Sequence, residues 1–473
     1  MIILNKINLS RLKCILIFSL FVSSFYGCMD FVEENIEEDF EDFIVPNIIP
    51  DGSEQYLNLS SDFIFDQNEL RTFELKLSEK NLKTIDNDPT AEQYVEGMLI
   101  FEGDTISPIG IRYKGSYGAW VGCVENWWEP SGKKTCTKLS TKVKINWMGR
   151  DERFYGLKKL QFHAQNLDPS LMHERLGYWL FRSMGVEAPR SVHARLIING
   201  EFLGLYALTE QIDGSFTDYH FDDKDGNLYK EIWPLDMNGN PMNPQSLIWA
   251  LKTNEDDNPS TEIMSGFANK ISNAEKSEIP NIISEYMDIN KIISLVVVDR
   301  TIRHDDGFLH WYCDEDVEAG NEGDCASHNF YWYEEPINNK VNLIPWDLDN
   351  AFENIISYTN PVTPIADEWG GITNDCEPFP YGDWGLYQWS AACDKLTGGW
   401  ASYSQLYQEL KEEFMQGPFS AANVNSLLTS WSEQIRPVVI EAQNKNTWDQ
   451  LTIEEWETNL NKLMDQLEYA RNN

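Results

Sequence analysis

The run Val341-Asn342-Leu343-Ile344-Pro345-Trp346-Asp347-Leu348-Asp349 is apolar until it ends in two carboxylates. Acids delivered at the end of a strand-like segment need a reason. Two residues apart in extended backbone, Asp347 and Asp349 share a face, and such a pair can offer oxygens to a hard divalent cation such as Mg²⁺. A solvated turn accounts for two neighbouring acids equally well in a chain with 76 Asp and Glu. Their company shifts the balance. Arg303-His304-Asp305-Asp306-Gly307 follows an apolar helix-like run, and Ser327-His328-Asn329-Phe330-Tyr331-Trp332-Tyr333 stands just upstream of the strand. An Asp, an Asn and a further Asp in that order suit phosphoryl-transfer chemistry, in which one carboxylate takes a proton and the others hold metal.

Several elements must position these groups. Asp288 caps a helix from Ile289 to about Ile302, with Ile289, Ile292, Ile293, Val296 and Val297 on one apolar face, and that helix delivers Asp305. Upstream, Tyr94 to Lys114 reads as a hairpin turning at Gly103-Asp104, and Lys138 to Trp147 reads as a strand with Lys142 and Lys144 on one face. Two lysines on a strand face are ordinarily its wet side, but they can also reach an anionic phosphate. Asp168-Pro169-Ser170 begins a helix that holds Glu174 and stops at Gly185. Val192 to Ile198 and Phe202 to Thr209 form a hairpin, because Asn199-Gly200 supplies the positive φ angles of a two-residue turn. Tyr358 to Gly399, rich in Trp, Gly, Pro and Tyr, reads as loop. The remainder reads as helix, with Thr452-Ile453-Glu454-Glu455 as a capping box.

Residues 1–27 carry Lys6, Arg11 and Lys13 before the apolar run Cys14 to Val22, which reads as an export signal too short to span a membrane. Phe25-Tyr26-Gly27-Cys28 resembles a lipobox with Cys28 lipidated, although Phe25 stands where Leu is usual. Asp30 to Asp42 then holds eight acids and no base, so residues 28–61 read as an acidic, disordered tether. An acidic stretch after a lipidated Cys resembles the surface-export tag of Bacteroides-group lipoproteins, which implies an outer-membrane or cell-surface location. A net charge of −39 disfavours nucleic acid and anionic membrane surfaces, and favours a basic protein substrate and divalent cations. Six further cysteines fall in local pairs, Cys123 with Cys136, Cys313 with Cys325, and Cys376 with Cys393. In an exported protein these read as disulfides, and no close Cys/His spacing supports zinc. Seventeen Trp exceed what core packing usually needs, so a cleft lining and an aromatic-rich core both stand open.

Tyr155-Gly156-Leu157-Lys158-Lys159-Leu160, Asp168-Pro169-Ser170-Leu171-Met172-His173-Glu174, Asn199-Gly200-Glu201-Phe202-Leu203-Gly204-Leu205-Tyr206, Glu210-Gln211-Ile212-Asp213, Gly226-Asn227-Leu228-Tyr229-Lys230, His328-Asn329-Phe330-Tyr331-Trp332-Tyr333 and Ile344-Pro345-Trp346-Asp347-Leu348-Asp349 together resemble the CotH kinase family. The resemblance implies an α+β, atypical protein-kinase-like fold over residues 62–473, with a β-rich N-lobe carrying one helix (62–213) and a mainly helical C-lobe (214–473). The hinge would lie near Glu210-Gln211. It also implies ATP and Mg²⁺ as cofactors and serines of secreted or surface proteins as acceptors. On the matched residues, Asp305 takes the place of the catalytic Asp, with Asp306 as the adjacent alternative. Asn329 and Asp347 take the metal-ligand places, with Asp349 in support. Glu174 takes that of the helix acid orienting a phosphate-binding lysine, either Lys142 or Lys144, and Glu210 joins the nucleotide-binding set. The chain departs from the family pattern in its six cysteines and in the insertion between Asp305 and Asn329. A surface binding or structural protein on the same fold, and less well a glycoside hydrolase built on paired carboxylates, are the competing functions.

Overall fold

The computed structural model describes residues 60–126, 129–255, 259–314, 323–353, 355–356, 371, 374–381, 386–445, 447 and 449–472. The export signal, the lipobox at Cys28 and residues 28–59 of the acidic tether lie outside the described residues, as do 357–370 of the expected loop. The chain divides into two compact units. One comprises residues up to 167 with 192–209 and 434–453, and the other comprises 168–191, 210–433 and 454–473.

In the first unit β1 (Arg71–Lys76), β2 (Val95–Phe101), β3 (Asp104–Tyr113), β6 (Thr141–Lys144), β7 (Lys159–His163), β8 (Ser191–Ile198) and β9 (Glu201–Thr209) close a barrel in the order β1-β2-β3-β6-β7-β9-β8. The short β4 (Val124–Asn126) and β5 (Ser131–Lys134) pair separately. Closure comes from the parallel pairing of β1 with β8, in which Phe73 faces Leu196. Strand alternation fills the barrel, since Phe73, Leu75, Leu99, Phe101, Ile109, Ile111, Val143, Leu160 and Phe162 all lie buried in one cluster. Both expected hairpins are present. Asn199 and Gly200 take φ of 51° and 81° at the β8–β9 turn, and Glu102 and Gly103 take 53° and 92° at the β2–β3 turn.

The second unit corrects the expected architecture. Instead of a mainly helical lobe it combines helices with two sheets, one ordered β10 (Leu228–Lys230), β13 (Phe330–Glu335), β14 (Lys340–Pro345) and the other β12 (Cys325–Ala326), β11 (His310–Cys313), β16 (Leu386–Ser390), β15 (Phe379–Tyr381). The helix His173–Ser183, expected in the β-rich part, also belongs to this unit. A kinase-like division into a β-rich and a mainly helical lobe is therefore not what this chain builds. The missed strands are short and embedded in Gly-, Pro- and Trp-rich sequence, where apolar alternation is too brief to register. The same surroundings account for the tryptophans. Trp233 packs against Trp311, Trp332 and Trp400 at centroid distances of 5.6, 5.4 and 5.9 Å, which makes an aromatic core.

All three local cysteine pairs are disulfides, with Cα separations of 4.5 Å (Cys123–Cys136), 3.9 Å (Cys313–Cys325) and 5.6 Å (Cys376–Cys393). Such bonds persist in an extracytoplasmic compartment. Among the described residues no helix is long and apolar enough to cross a membrane. Replacing Cys313 and Cys325 together by serine is expected to lower stability by about 3 kcal/mol, from the loop-closure entropy returned to the unfolded chain. Urea unfolding checks this, and an unchanged midpoint would show that the hairpin holds itself without the bond.

Candidate active site

The second unit gathers the acids. The helix Ile289–Ile302 is capped by Asp288, whose side chain accepts from the Lys291 N–H, and it ends at Arg303 in left-handed backbone (φ 51°). That abrupt stop turns His304, Asp305 and Asp306 inward, and all three are buried. Strand β13 begins just after Asn329, itself left-handed at φ 56°, and its amide Nδ2 donates to the Asp306 main-chain oxygen and to Asp306 Oδ2, both at 2.9 Å. Strand β14 pairs with β13, Phe330 opposite Pro345, and the Trp346 N–H donates to the Asn329 carbonyl at 2.9 Å. Register thus brings Asp347 beside Asn329.

The shared-face expectation for Asp347 and Asp349 fails in its detail. Asp347 leaves the strand at φ 58°, and Leu348–Asn350 forms a 3-10 turn, so no extended backbone aligns the two side chains. They are associated through charge instead. Burial pushes the Asp349 carboxyl well above the usual range, and the charges of Asp347, Glu174, Asp306 and Asp168 push it further. Glu174 stands in the first turn of His173–Ser183 and is buried, so its charge acts within this acid set. Gly177 allows that helix close to the turn, since a Cβ there would lie 2.8 Å from Leu348 Cδ1.

Asp305 and Asp306 separate in character. Burial raises Asp306 to about 7, with His304 opposing and Asp347 and Glu231 adding to it. Burial raises Asp305 well above the carboxylate range against the charges of Arg303 and His304, and neither of its oxygens has a hydrogen-bond partner. The Tyr312 hydroxyl donates to the Asp305 main-chain oxygen at 2.9 Å. Asp306 is therefore the member of the pair that shares Asn329 and senses Asp347.

Lys142 and Lys144 belong to the barrel unit and project from its outer face. There Arg112 of β3, Lys142 of β6 and Gln161 of β7 form one cross-strand row, and Lys144 pairs with Lys159 in the next. Lys114 Nζ adds to the same face, 2.9 Å from Gln161 Oε1 and 2.8 Å from His163 Nε2. Tyr94 and Trp147 lie beside Lys144, with Nζ 5.8 Å from each ring centroid. Two buried donors of this face, Gln161 Nε2 and Trp147 Nε1, have no hydrogen-bond partner. Cations, unmatched donors and flat rings are a fit for an anionic nucleotide.

Glu210 lies apart from the acids. Its carboxylate takes Arg190 Nη2, accepts from Arg190 Nε at 3.1 Å and meets His220 Nε2 at 2.9 Å. Burial would raise it, but Arg190 and His220 outweigh burial and bring it to about 2. It is a structural ion pair within the second unit.

Lys230 escaped the sequence reading although it closes the Gly-Asn-Leu-Tyr-Lys segment. At the end of β10 it pairs in register with Tyr331, and the charge of Glu231, 3.3 Å away, keeps it strongly protonated against burial, with Asp347 contributing. A lysine alternating out of a short polar segment gives no periodic signal, so fold context alone marks it.

Among the described residues no three His, Cys, Asp or Glu side chains form a closed metal cage. The donor set still suits a hard cation that keeps part of its water shell. It comprises the Asp347 carboxylate and the Asn329 amide oxygen, and Asp306 Oδ1, buried without a partner, is left for a proton.

No individual curated protein matches the chain. The family model described as CotH kinase protein matches residues 111–472, which takes in nearly all of the second unit and leaves β1, β2 and most of β3 outside it. As a class, kinases use a nucleotide and metal ions and act on an acceptor such as a protein. A match of this extent, over a chain whose acids and amide meet as described, makes the protein a member of the CotH kinase family.

Proposed function

We propose that the protein is an exported, lipid-anchored kinase that transfers the γ-phosphoryl group of ATP, with Mg²⁺, to a serine or threonine hydroxyl of a secreted or surface protein. The observation that carries this reading is the Asn329–Asp306 hydrogen bond at the start of β13, which joins a proton acceptor to an amide ligand where the charge of Asp347 is felt. Asp306, held near 7, takes the acceptor hydroxyl's proton as the oxygen–phosphorus bond forms and ADP leaves with the former bridging oxygen. Asp305, the residue favoured by sequence order, is buried with neither carboxyl oxygen hydrogen-bonded. Asn329 and Asp347 would hold the metal, with Asp349 next to them. Bound there, Mg²⁺ would neutralise charge on the transferring phosphoryl group. Lys230, in the same unit as Asp347, is the cation offered to phosphate oxygens there. The disulfides and the lipobox-like Cys28 support the extracytoplasmic address.

The full chain incubated with radiolabelled ATP, Mg²⁺ and a basic, serine-rich peptide is expected to label the peptide or itself, and to show a Mg²⁺-dependent thermal shift with ATP. Absence of both nucleotide binding and transfer would overturn the reading in favour of a surface-binding role.

A further inference from the structure

Asp347 leaves strand β14 in left-handed backbone, a conformation that a non-glycine residue holds only where its surroundings impose it. The surroundings do impose it, from two helices. The Asp347 N–H donates to the Tyr178 hydroxyl at 3.0 Å, and the Asp347 carbonyl lies 2.9 Å from His304 Nε2. Two residues on, the Asp349 carbonyl lies 2.8 Å from His173 Nδ1. A carbonyl oxygen only accepts, so the hydrogen sits on Nε2 in one ring and on Nδ1 in the other. Each ring is backed by carboxylate. Asp299 Oδ2 lies 3.4 Å from His304 Nδ1, and Asp168 Oδ1 and Glu353 Oε1 lie 3.5 and 3.7 Å from His173 Nε2. Asp168 is itself fixed, accepting from the N–H groups of Ser170, Leu171 and His173 at 2.9, 3.0 and 2.8 Å. The same order, carboxylate to imidazole to carbonyl, thus occurs twice on one turn.

We propose that His173 and His304 are positioning residues, whose ring N–H groups hold the main-chain carbonyls of Asp349 and Asp347 so that both carboxylates are aimed before a metal ion arrives. The inference rests on the reading of Asp347 and Asp349 as metal-binding residues. A buried imidazole suits the task because it donates from a rigid plane. Neither ring needs to touch metal or nucleotide.

The different donor atoms make the idea testable. Glutamine places its amide nitrogen near the His304 Nε2 position, and asparagine places one near the His173 Nδ1 position. Mn²⁺ binding to the full chain, with a non-hydrolysable ATP analogue present, can be followed through the electron paramagnetic resonance of free Mn²⁺. His304→Leu and His173→Leu are each expected to weaken Mn²⁺ binding about 10-fold or more, the usual scale for losing a partner that orients a metal ligand. His304→Gln and His173→Asn should bind nearly as wild type, whereas the exchanged pair, His304→Asn and His173→Gln, should behave like leucine. In transfer assays the weakened variants should need about 10-fold more Mg²⁺ for half-maximal rate, which a smaller folded fraction would not produce. If Asp347→Asn loses Mn²⁺ but the leucine variants keep wild-type affinity, the positioning role is overturned and the metal-site reading stands. Wild type that binds no Mn²⁺ overturns both. Should the leucine variants fail to fold by circular dichroism, His304→Gln and His173→Asn decide: wild-type affinity supports the role and a tenfold loss refutes it.

Discussion

Alanine at Asp347 is expected to abolish phosphoryl transfer, by about 100-fold or more, while making the metal-free protein more stable. The two effects have opposite signs because they share one cause. Asp347 adds negative charge to a buried place where Asp349 and Asp306 are already pushed towards protonation, partly by Asp347 itself. Removing it relieves that repulsion, but it also removes the carboxylate offered to the metal and the metal-dependent part of ATP stabilisation. Urea unfolding in chelator, beside transfer assays in Mg²⁺, reads both. A variant that loses activity and stability together would point to plain misfolding. Asp306→Asn should keep Mg-ATP binding and lose about 100-fold or more in kcat, the scale of a lost positioned base. Asp305→Asn should be milder, since Asp305 shares no hydrogen bond with Asn329. The reverse ranking would return the base to Asp305.

Glu210→Gln is expected to destabilise the fold by about 3–5 kcal/mol, because it leaves the Arg190 guanidinium buried beside a neutral amide. The pH dependence follows from its depressed carboxyl. The folded value is about 2 against an unfolded reference of 4.5, so the stabilisation is complete above roughly pH 4.5 and disappears as pH falls towards 2. Wild-type unfolding free energy should therefore drop across that window, and in Glu210→Gln this part of the drop should be missing. Urea titrations at pH 7, 4.5 and 3 test this, and parallel curves for the two proteins would remove Glu210 from the account.

Local chemistry was legible in the sequence where it is decided locally. Asn199-Gly200 and Gly103 mark turns because few residues take positive φ, and β14 is visible because Val341 to Ile344 is uninterrupted by acids. Barrel closure was not legible, since β1 and β8 pair in parallel with more than 100 residues between them, as in Leu75 opposite Ile198. The two-lobed expectation failed in the second half because β11, β12, β15 and β16 hold only 14 positions in all where loop-forming residues dominate. Sequence order drew attention to Asp305, Asp306, Asn329, Asp347 and Asp349. It gave no reason to single out His173, His304 or Lys230, whose roles depend on which carbonyl or carboxylate stands opposite. Asp347 and Asp349 were grouped by the wrong geometry, a strand face, when a tight turn brings them together.

The Cys313–Cys325 bond changes the distance, along the covalent network, between Asp306 and Asn329. Those residues are 23 positions apart in sequence, and the disulfide bypasses 12 of them. The closure entropy for joining amide and carboxylate is then that of the shorter path, and each halving of a loop saves roughly 0.6 kcal/mol. The stretch between the two cysteines becomes a side branch. Its length and composition are free to drift between relatives, or to carry an inserted epitope, without altering the shorter path that leads to Asn329.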